Sequence, residues 1–410
     1  MWTADRHLRW RERWLCTVHS TYYRYQFDTS PLGKKGSPVK FRCEREALAE
    51  ALSTASRAAT GRSAALPVLT GLRLQVVGNR LTITGSDLDL TIQSSIEVGS
   101  DVDGGTVVPA RLAADIVRSL ASGKVEVQAT ADEVVISNGR SNFTVRPLSL
   151  DDYPKVGGGS GSSVTLPSAS FGEALRQVVR AASKDEQRPV LTGVMMTAEG
   201  DGLRMVATDS YRLAVCDLAG QNVLGVGQRV LVPGRALTEV QRIVNSGDDV
   251  TMQLGENDAS FEAGNVRLTT RLITGEYPDY GRLVPQNQSN ALTVERDALL
   301  EALRRVKLLA KEPSTPVRLA LGGDTVRLTA ITQDIGAASE EIDARYEGTE
   351  MIVAFNPEFL MDGVDACAGQ LVVLSTKDAQ SPAVLRGATP DGTLSEYLYL
   401  LMPVRVPESK

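Results

Sequence analysis

Apolar and polar residues alternate with a period of two through three long stretches of the chain. They are "LRLQVVGNRLTITGSDLDLTIQSSIEV" (72–98), "VMMTAEGDGLRMVATDSYRLAVCDL" (194–218) and "VRLALGGDTVRLTAITQDIGAASEEI" (317–342). Gly-Asn or Gly-Asp breaks inside them predict β-hairpins. A helical segment precedes each stretch: "EREALAEAL" (44–52), "SASFGEALRQVV" (168–179) and "ERDALLEALRRV" (295–306). All three contain Glu-Ala-Leu, at Glu50, Glu173 and Glu301. The pentapeptide "PVLTG" occurs at 67–71 and 189–193, and the third copy keeps Pro316-Val317. A second helix follows in "VPARLAADIVRSLASG" and "VPGRALTEVQRIVNSG", with Pro near its start, where a missing N–H costs nothing. Its third counterpart is "FNPEFLMDGVDACAG". Further strands close each copy in "FTVRPLSLDDYP", "VRLTTRLITGEYP" and "YLYLLMPVRV". The pattern is therefore three tandem α+β units, near 39–163, 164–288 and 289–410, with "GGGSGSS" (157–163) as the first linker. Each unit is long enough to bury its own core, unlike a short solenoid repeat.

Composition narrows the function. The 410 residues are 42% hydrophobic and 23% charged, as in a soluble multidomain protein. No run of about 18 apolar residues predicts a membrane span. Cysteines 16, 43, 216 and 367 share no CxxC spacing, so neither a disulfide framework nor a zinc site is expected, and the scatter fits a reducing cytoplasm. Residues 1–38 differ from the rest. They hold all three tryptophans, both histidines and a net charge of +4, which leaves −10 on the body from a total of −6. We read this segment as an extension outside the fold, with translation expected to begin at Val39; the alternative is a basic, aromatic arm. A body without histidine excludes Ser-His-Asp triads, Cys-His pairs and HExxH zinc sites. No Walker loop or complete GxGxxG is present. A carboxylate-pair hydrolase using Asp87 and Asp209 stays formally open, against the plainer reading of these residues as turn chemistry.

The pieces "ATDSYRLAV" (207–215), "EYPDYGRLVP" (276–285), "FNPEF" (355–359) and "YLLMPVRV" (399–406), in this order on a threefold repeat, resemble the bacterial sliding clamp, the DNA polymerase III beta subunit. The resemblance covers essentially all of 39–410. It implies three DNA-clamp domains per chain, helices inside and antiparallel sheets outside, and a head-to-tail dimer whose six domains ring duplex DNA. Twelve inner helices about 10 Å wide span a circumference of about 120 Å, enough for a duplex with its water layer. The implied function is a processivity factor of the replicative polymerase, a noncatalytic accessory subunit without cofactor or metal. Its partners would be duplex DNA bound without sequence specificity, a second copy, the polymerase alpha subunit, the clamp loader and other proteins carrying a clamp-binding motif. A scaffold ring that never meets DNA is the other noncatalytic reading.

A clamp that slides needs screened phosphate attraction rather than base contacts. Candidate DNA-facing residues are Arg62, Arg118, Arg176, Arg180, Lys184, Arg188, Arg235, Arg242, Arg304 and Lys311; each could instead belong to an ordinary solvated helix face. The third copy's second helix carries Glu358, Asp362 and Asp365 and no Lys or Arg, so charge around the hole should be uneven. The resemblance implies a peptide-binding pocket between the second and third domains, from Leu191, Thr208, Tyr211, Arg212, Leu213, Pro278, Arg282, Leu283, Asn356, Phe359, Met402, Pro403, Val404 and Arg405. Apolar walls would take Leu or Phe, with Arg and Asn bonding peptide carbonyls; without the family context these residues read as core. Tyr211 stands where relatives often have His, removing a pH-sensitive charge. "GSDLDL" and "AITQDI" replace "TDSYRL" in the other copies, so one pocket per chain is expected. Phe143, Val145, Leu308 and Leu309 are implied at the dimer interface.

Overall fold

The computed structural model describes residues 38–59, 66–154, 162–220, 223–225, 227–244, 249–310 and 315–405. The N-terminal segment through residue 37, Arg62 and Lys311 lie outside the described residues. Six α-helices recur as two per copy: α1 (Arg45–Ser56) and α2 (Ala110–Ser119), α3 (Ser168–Val178) and α4 (Gly234–Val244), α5 (Arg296–Val306) and α6 (Pro357–Ala366). Within each copy the two helices pack side by side.

Local chemistry sets their ends and buried faces. In α1, Leu48, Ala51, Leu52 and Ala55 recur at helical spacing and are buried. Pro109 immediately precedes α2 and Pro233 closes the strand that runs into α4. Glu295 caps α5 by accepting from the backbone N–H groups of Asp297 and Ala298. Asn356 caps α6 in the same way, accepting from Glu358 (2.9 Å) and Phe359 (3.2 Å).

All strand pairings are antiparallel, and the sheets do not stop at copy boundaries. The closing strand of the second copy, Val266–Arg271, pairs with Leu90–Glu97 of the first. The closing strand of the third copy, Leu398–Leu401, pairs with Arg212–Leu218 of the second. Sheets of eight and twelve strands thus bridge the two internal junctions, and a five-stranded sheet lies in the first copy. One continuous core follows the same path, from Ala58, Leu90 and Ile92 through the second copy to Leu360 and Tyr399 in the third. The strand opening the second copy begins at Ser162, two residues inside the segment read as a linker.

The repeat extends to backbone conformation. Leu88 (φ 80°), Ser210 (φ 80°) and Asp334 (φ 65°) are the only non-glycine residues with positive φ among the described ones, and they occupy the same turn in each copy. An L-residue costs of order 1–3 kcal/mol there. In the first two copies the strand after this turn is the one that pairs with the neighbouring copy.

Candidate functional site

The second junction is built around that turn. Thr208 Oγ1 donates to the Arg212 carbonyl (2.7 Å), and Asp209 Oδ1 accepts from the N–H groups of Tyr211 (2.9 Å) and Arg212 (3.0 Å). The turn delivers Arg212 into the junction, where it is 7% exposed. Its Nε donates to Asp209 (3.0 Å) and a terminal nitrogen to Asp362 on α6 (2.6 Å). The guanidinium lies 4.2 Å from the Phe359 ring centroid, and Tyr211 stacks on the same ring at 6.5 Å. Burial alone would lower the pKa of Arg212; the Tyr399 hydroxyl and the carboxylates of Asp362 and Asp209 outweigh it and hold the pKa above its ordinary value. Tyr399 in turn donates to the Phe359 carbonyl (2.9 Å), and its ring lies so close to Gly363 that a Cβ there would stand 2.5 Å from it.

On the outer face of this junction lies a buried apolar cluster, which would floor a peptide groove. It runs across five strands in register: Leu231 opposite Met195, Met195 opposite Val206, Val206 opposite Val215, Val215 opposite Leu398. Leu213 faces Leu400, which faces Val384. Tyr277, Tyr280 and Val284 pack along one side. Of the residues expected here, Leu213 belongs to this floor, while Leu191 and Thr208 are buried beside it. Tyr211, Pro278, Arg282, Leu283, Met402, Val404 and Arg405 are exposed, and Pro403 and Phe359 half-buried. The Met402 N–H donates to the Tyr211 carbonyl (2.9 Å) and the Val404 N–H to the Ala354 carbonyl (2.8 Å), which lays the C-terminal strand along the rim.

One expected role needs correcting. Arg212 ties the turn to α6 through Asp209 and Asp362, so its guanidinium is largely engaged within the junction, whereas the Asn356 side-chain oxygen caps that helix and its amide NH2 is the group left to donate to a peptide carbonyl. The sequence reading also missed Met195, Val206, Val215, Leu231, Val384, Leu398 and Leu400. Their alternation along single strands was the available signal.

The first junction uses the same backbone plan. Arg235 on α4 forms an ion pair with the buried Asp87 (2.5 Å), and Arg57 reaches Glu239 (3.6 Å). Asp87 Oδ1 also accepts from the N–H groups of Asp89 (3.3 Å) and Leu90 (2.9 Å). Asp87 and Asp209 are therefore equivalent turn residues, one in each junction. Arg176 on α3 is likewise a junction tie: it donates to Glu173, to the carbonyls of Asp365 (2.6 Å) and Ala366 (3.2 Å), and lies 3.8 Å from the Asp365 carboxylate. Arg180 pairs with Asp365 (2.5 Å) and Asp362 (3.8 Å). Arg176 and Arg235 thus point into junctions rather than standing free, because carboxylates of the following and the preceding copy, respectively, meet them there. Arg118 and Arg242 pair with acids one turn away, Asp115 and Glu239, and Arg188 with Asp185. Lys184 and Arg304 are exposed and form no ion pair among the described residues.

This triplicated plan has relatives across bacteria. The patterns of the DNA polymerase III beta subunit match in order: the N-terminal domain over 39–157, the central domain over 165–279 and the C-terminal domain over 281–405. The chain belongs to the DNA polymerase III beta subunit family. A beta sliding clamp of Streptomyces coelicolor is 35% identical over 376 residues, covering 90% of this chain and all of that protein. The Escherichia coli K12 beta sliding clamp is 31% identical with the same coverage. Among solved structures, a beta sliding clamp of C. crescentus superposes with a TM-score of 0.82 at 30% identity over 91% of this chain and 100% of that one. A sliding clamp of Pseudomonas aeruginosa bound to griselimycin gives 0.80 at 27% identity over 90% and 100%.

As in the two internal junctions of this family member, the free ends carry matching strands. Ser141–Val145, the first copy's counterpart of Val266–Arg271, is the open edge of the five-stranded sheet. Gly336–Glu347 pairs with its own hairpin partner, and through residues 344–347 with Asn290–Glu295, which leaves the far edge of its first half unpaired. Phe143 is exposed, whereas the Val145 side chain is buried in the first domain's core. Leu308 (66%), Ile331 and Ile335 (69%) are exposed beside the unpaired strand, and Leu309 is half-buried. Among the described residues no helix is long and apolar enough to cross a membrane, and no group of three metal-ligating side chains gathers.

Proposed function

We propose that two copies of this chain close head to tail into a ring that encircles duplex DNA in the cytoplasm and tethers the replicative polymerase and other proteins through the apolar groove at each second junction. The repeated junction carries this reading. Twice within the chain, a closing strand adds to the strand after the positive-φ turn, with Thr270 opposite Leu90 and Leu401 opposite Arg212. One such closing strand and one such acceptor edge remain unpaired, at opposite ends of the triplicate. Bare edges of this kind are templates for pairing. A heterologous contact whose rotation closes makes a ring, not a filament.

The repeat also fixes the register. Val145 corresponds to Thr270 and Leu401, and Gly336 to Leu90 and Arg212. Val145 then stands opposite Gly336 of a second copy, Phe143 opposite Ala338 and Ser141 opposite Glu340. The helix ties change character at this third junction. Seven residues after the shared glutamate stand Arg57 and Arg180, both paired with acids of the next copy; the third position is Leu308, exposed and apolar. The subunit joint is apolar where the internal ones are ionic.

Lys184, Arg304, Arg118, Arg180, Arg188 and Arg242 on or near the helices supply the charge that attracts phosphate. Tyr211, Pro278, Leu283, Met402 and Val404 rim the groove for an extended apolar peptide. The subunit acts as an accessory factor with no catalytic centre of its own.

The register is tested by replacing Phe143→Cys and Ala338→Cys in one chain. Facing residues of an antiparallel pair lie about 4.5–5.5 Å apart, within disulfide reach. Oxidation is expected to give one species of twice the chain mass on denaturing gels. Uncrosslinked chains, or a ladder of longer species, would contradict the closed ring.

A further inference from the structure

The outer sheet face of the first domain carries a cleft of about 390 Å³ lined by Arg73, Gln75, Arg80, Thr82, Thr84 and Gln93, with Val77 at its margin. It lies one repeat before the apolar groove, on the corresponding face of the sheet, and its chemistry is different. Arg73 opposes Thr84, Thr84 opposes Gln93, and Gln93 opposes Arg267 of the second domain, so one polar row crosses four strands.

Among the described residues, the two guanidiniums in that row form no ion pair. Arg73 donates to the neutral Gln75 side-chain oxygen (2.7 Å), and its Nε is buried with no hydrogen-bond partner. Arg267 donates to the Gln253 (3.0 Å) and Ser260 (3.4 Å) oxygens, both neutral. Glu97 and Glu262 stand opposite Arg80 and Arg267 in register, yet neither forms an ion pair with them. Several other strand arginines are matched: Arg204 with Asp217 (2.7 Å) and Glu199 (3.0 Å), Arg327 with Glu341 (2.8 Å), Arg42 with Asp101 (3.0 Å). Burial lowers the pKa of Arg73, the mark of a desolvated cation with no anion to offset it. Tyr153 stands nearby, but its hydroxyl is occupied in donating to the Thr84 carbonyl (3.0 Å), and burial raises its pKa, so it is a neutral neighbour.

We propose that this cleft is a second partner-binding site, in which Arg73, with Arg80 farther along the same cleft, takes carboxylates from an acidic peptide segment of a protein. A planar carboxylate matches the fork geometry of a guanidinium, and the neutral Gln and Thr side chains can hydrogen-bond the peptide around it. A buried cation without a counter-charge leaves that interaction to be gained on binding. The site stands on the cleft and its cations alone and does not depend on the ring or on the apolar groove.

The test uses the full chain and a fluorescein-labelled hexaglutamate peptide, with hexaglutamine and sodium phosphate as comparison probes, followed by fluorescence anisotropy. Hexaglutamate is expected to bind in a salt-sensitive manner, hexaglutamine not at all, and phosphate to compete poorly at equal concentration. Arg73→Met should weaken hexaglutamate at least about tenfold. Gln75→Glu places a carboxylate beside Arg73 within the chain; it should block the peptide equally and raise Tm, which separates loss of the site from loss of the fold. Absent hexaglutamate binding, equal binding to Arg73→Met, equal displacement by phosphate, or a lowered Tm in Gln75→Glu would overturn the proposal. None of these outcomes alters the Phe143–Ala338 crosslink expected of the ring.

Discussion

Thr84 and Gln93 stand where Val206 and Val215 stand one repeat later, and Arg73 where Met195 stands. The two internal junctions thus share a backbone plan and present opposite chemistry on their outer faces. Both continue a sheet across a domain boundary and begin it from a positive-φ turn held by an aspartate. Triplication preserved the part that joins domains, and the face turned to solvent was free to diverge. The tie beneath each face differs as well. Arg212 is almost fully buried between two carboxylates, whereas Arg235 keeps about a third of its side chain exposed and meets one.

The sharpest way to break the comparison is to remove those ties. Arg212→Met leaves Asp209 and Asp362 facing each other across the junction without their cation. Stripping one partner from a buried ion pair costs about 3–5 kcal/mol. Arg235→Met leaves one buried carboxylate, Asp87, without its cation rather than two, and should cost about 1–3 kcal/mol. Urea unfolding of the two variants would show the ranking, and equal midpoints would refute the difference drawn between the junctions. A smaller effect comes from exchanging chemistry between the faces. Val206→Thr with Val215→Gln gives the second junction the side chains of the first. Anisotropy of a labelled peptide carrying two Leu and one Phe should then show at least about tenfold weaker capture, from lost apolar burial of roughly 1.5–3 kcal/mol per anchoring side chain. Unchanged capture would move the peptide site away from the groove.

The sequence showed the architecture because period-two stretches, Glu-Ala-Leu helices and Pro-Val pairs recur at similar spacing. Each is a local pattern repeated. What stayed hidden depends on copies meeting. Arg176 and Arg235 look like any basic residue on an amphipathic helix. Only the fold brings Asp365, 189 residues away from Arg176, and Asp87 to their guanidiniums. Leu398, Leu400 and Met195 read as ordinary strand interior, and they form one apolar cluster because the second copy's strands and the third copy's closing strand join in one sheet. Motif alone placed Arg212 and Asn356 at the second junction, but the Arg212 guanidinium serves the turn and α6, and the Asn356 oxygen serves the helix cap. Motif position locates a residue; hydrogen-bond accounting decides what its side chain is free to do.

The central claim is topological, and retention on circular DNA addresses it directly. Protein loaded by a clamp loader with ATP onto a nicked circular plasmid should stay with the DNA through gel filtration at high salt and fall off once a single cut makes the plasmid linear. Retention that survives linearisation, or loss from the intact circle as salt rises, would mean that the chain holds DNA by surface contact rather than by encircling it.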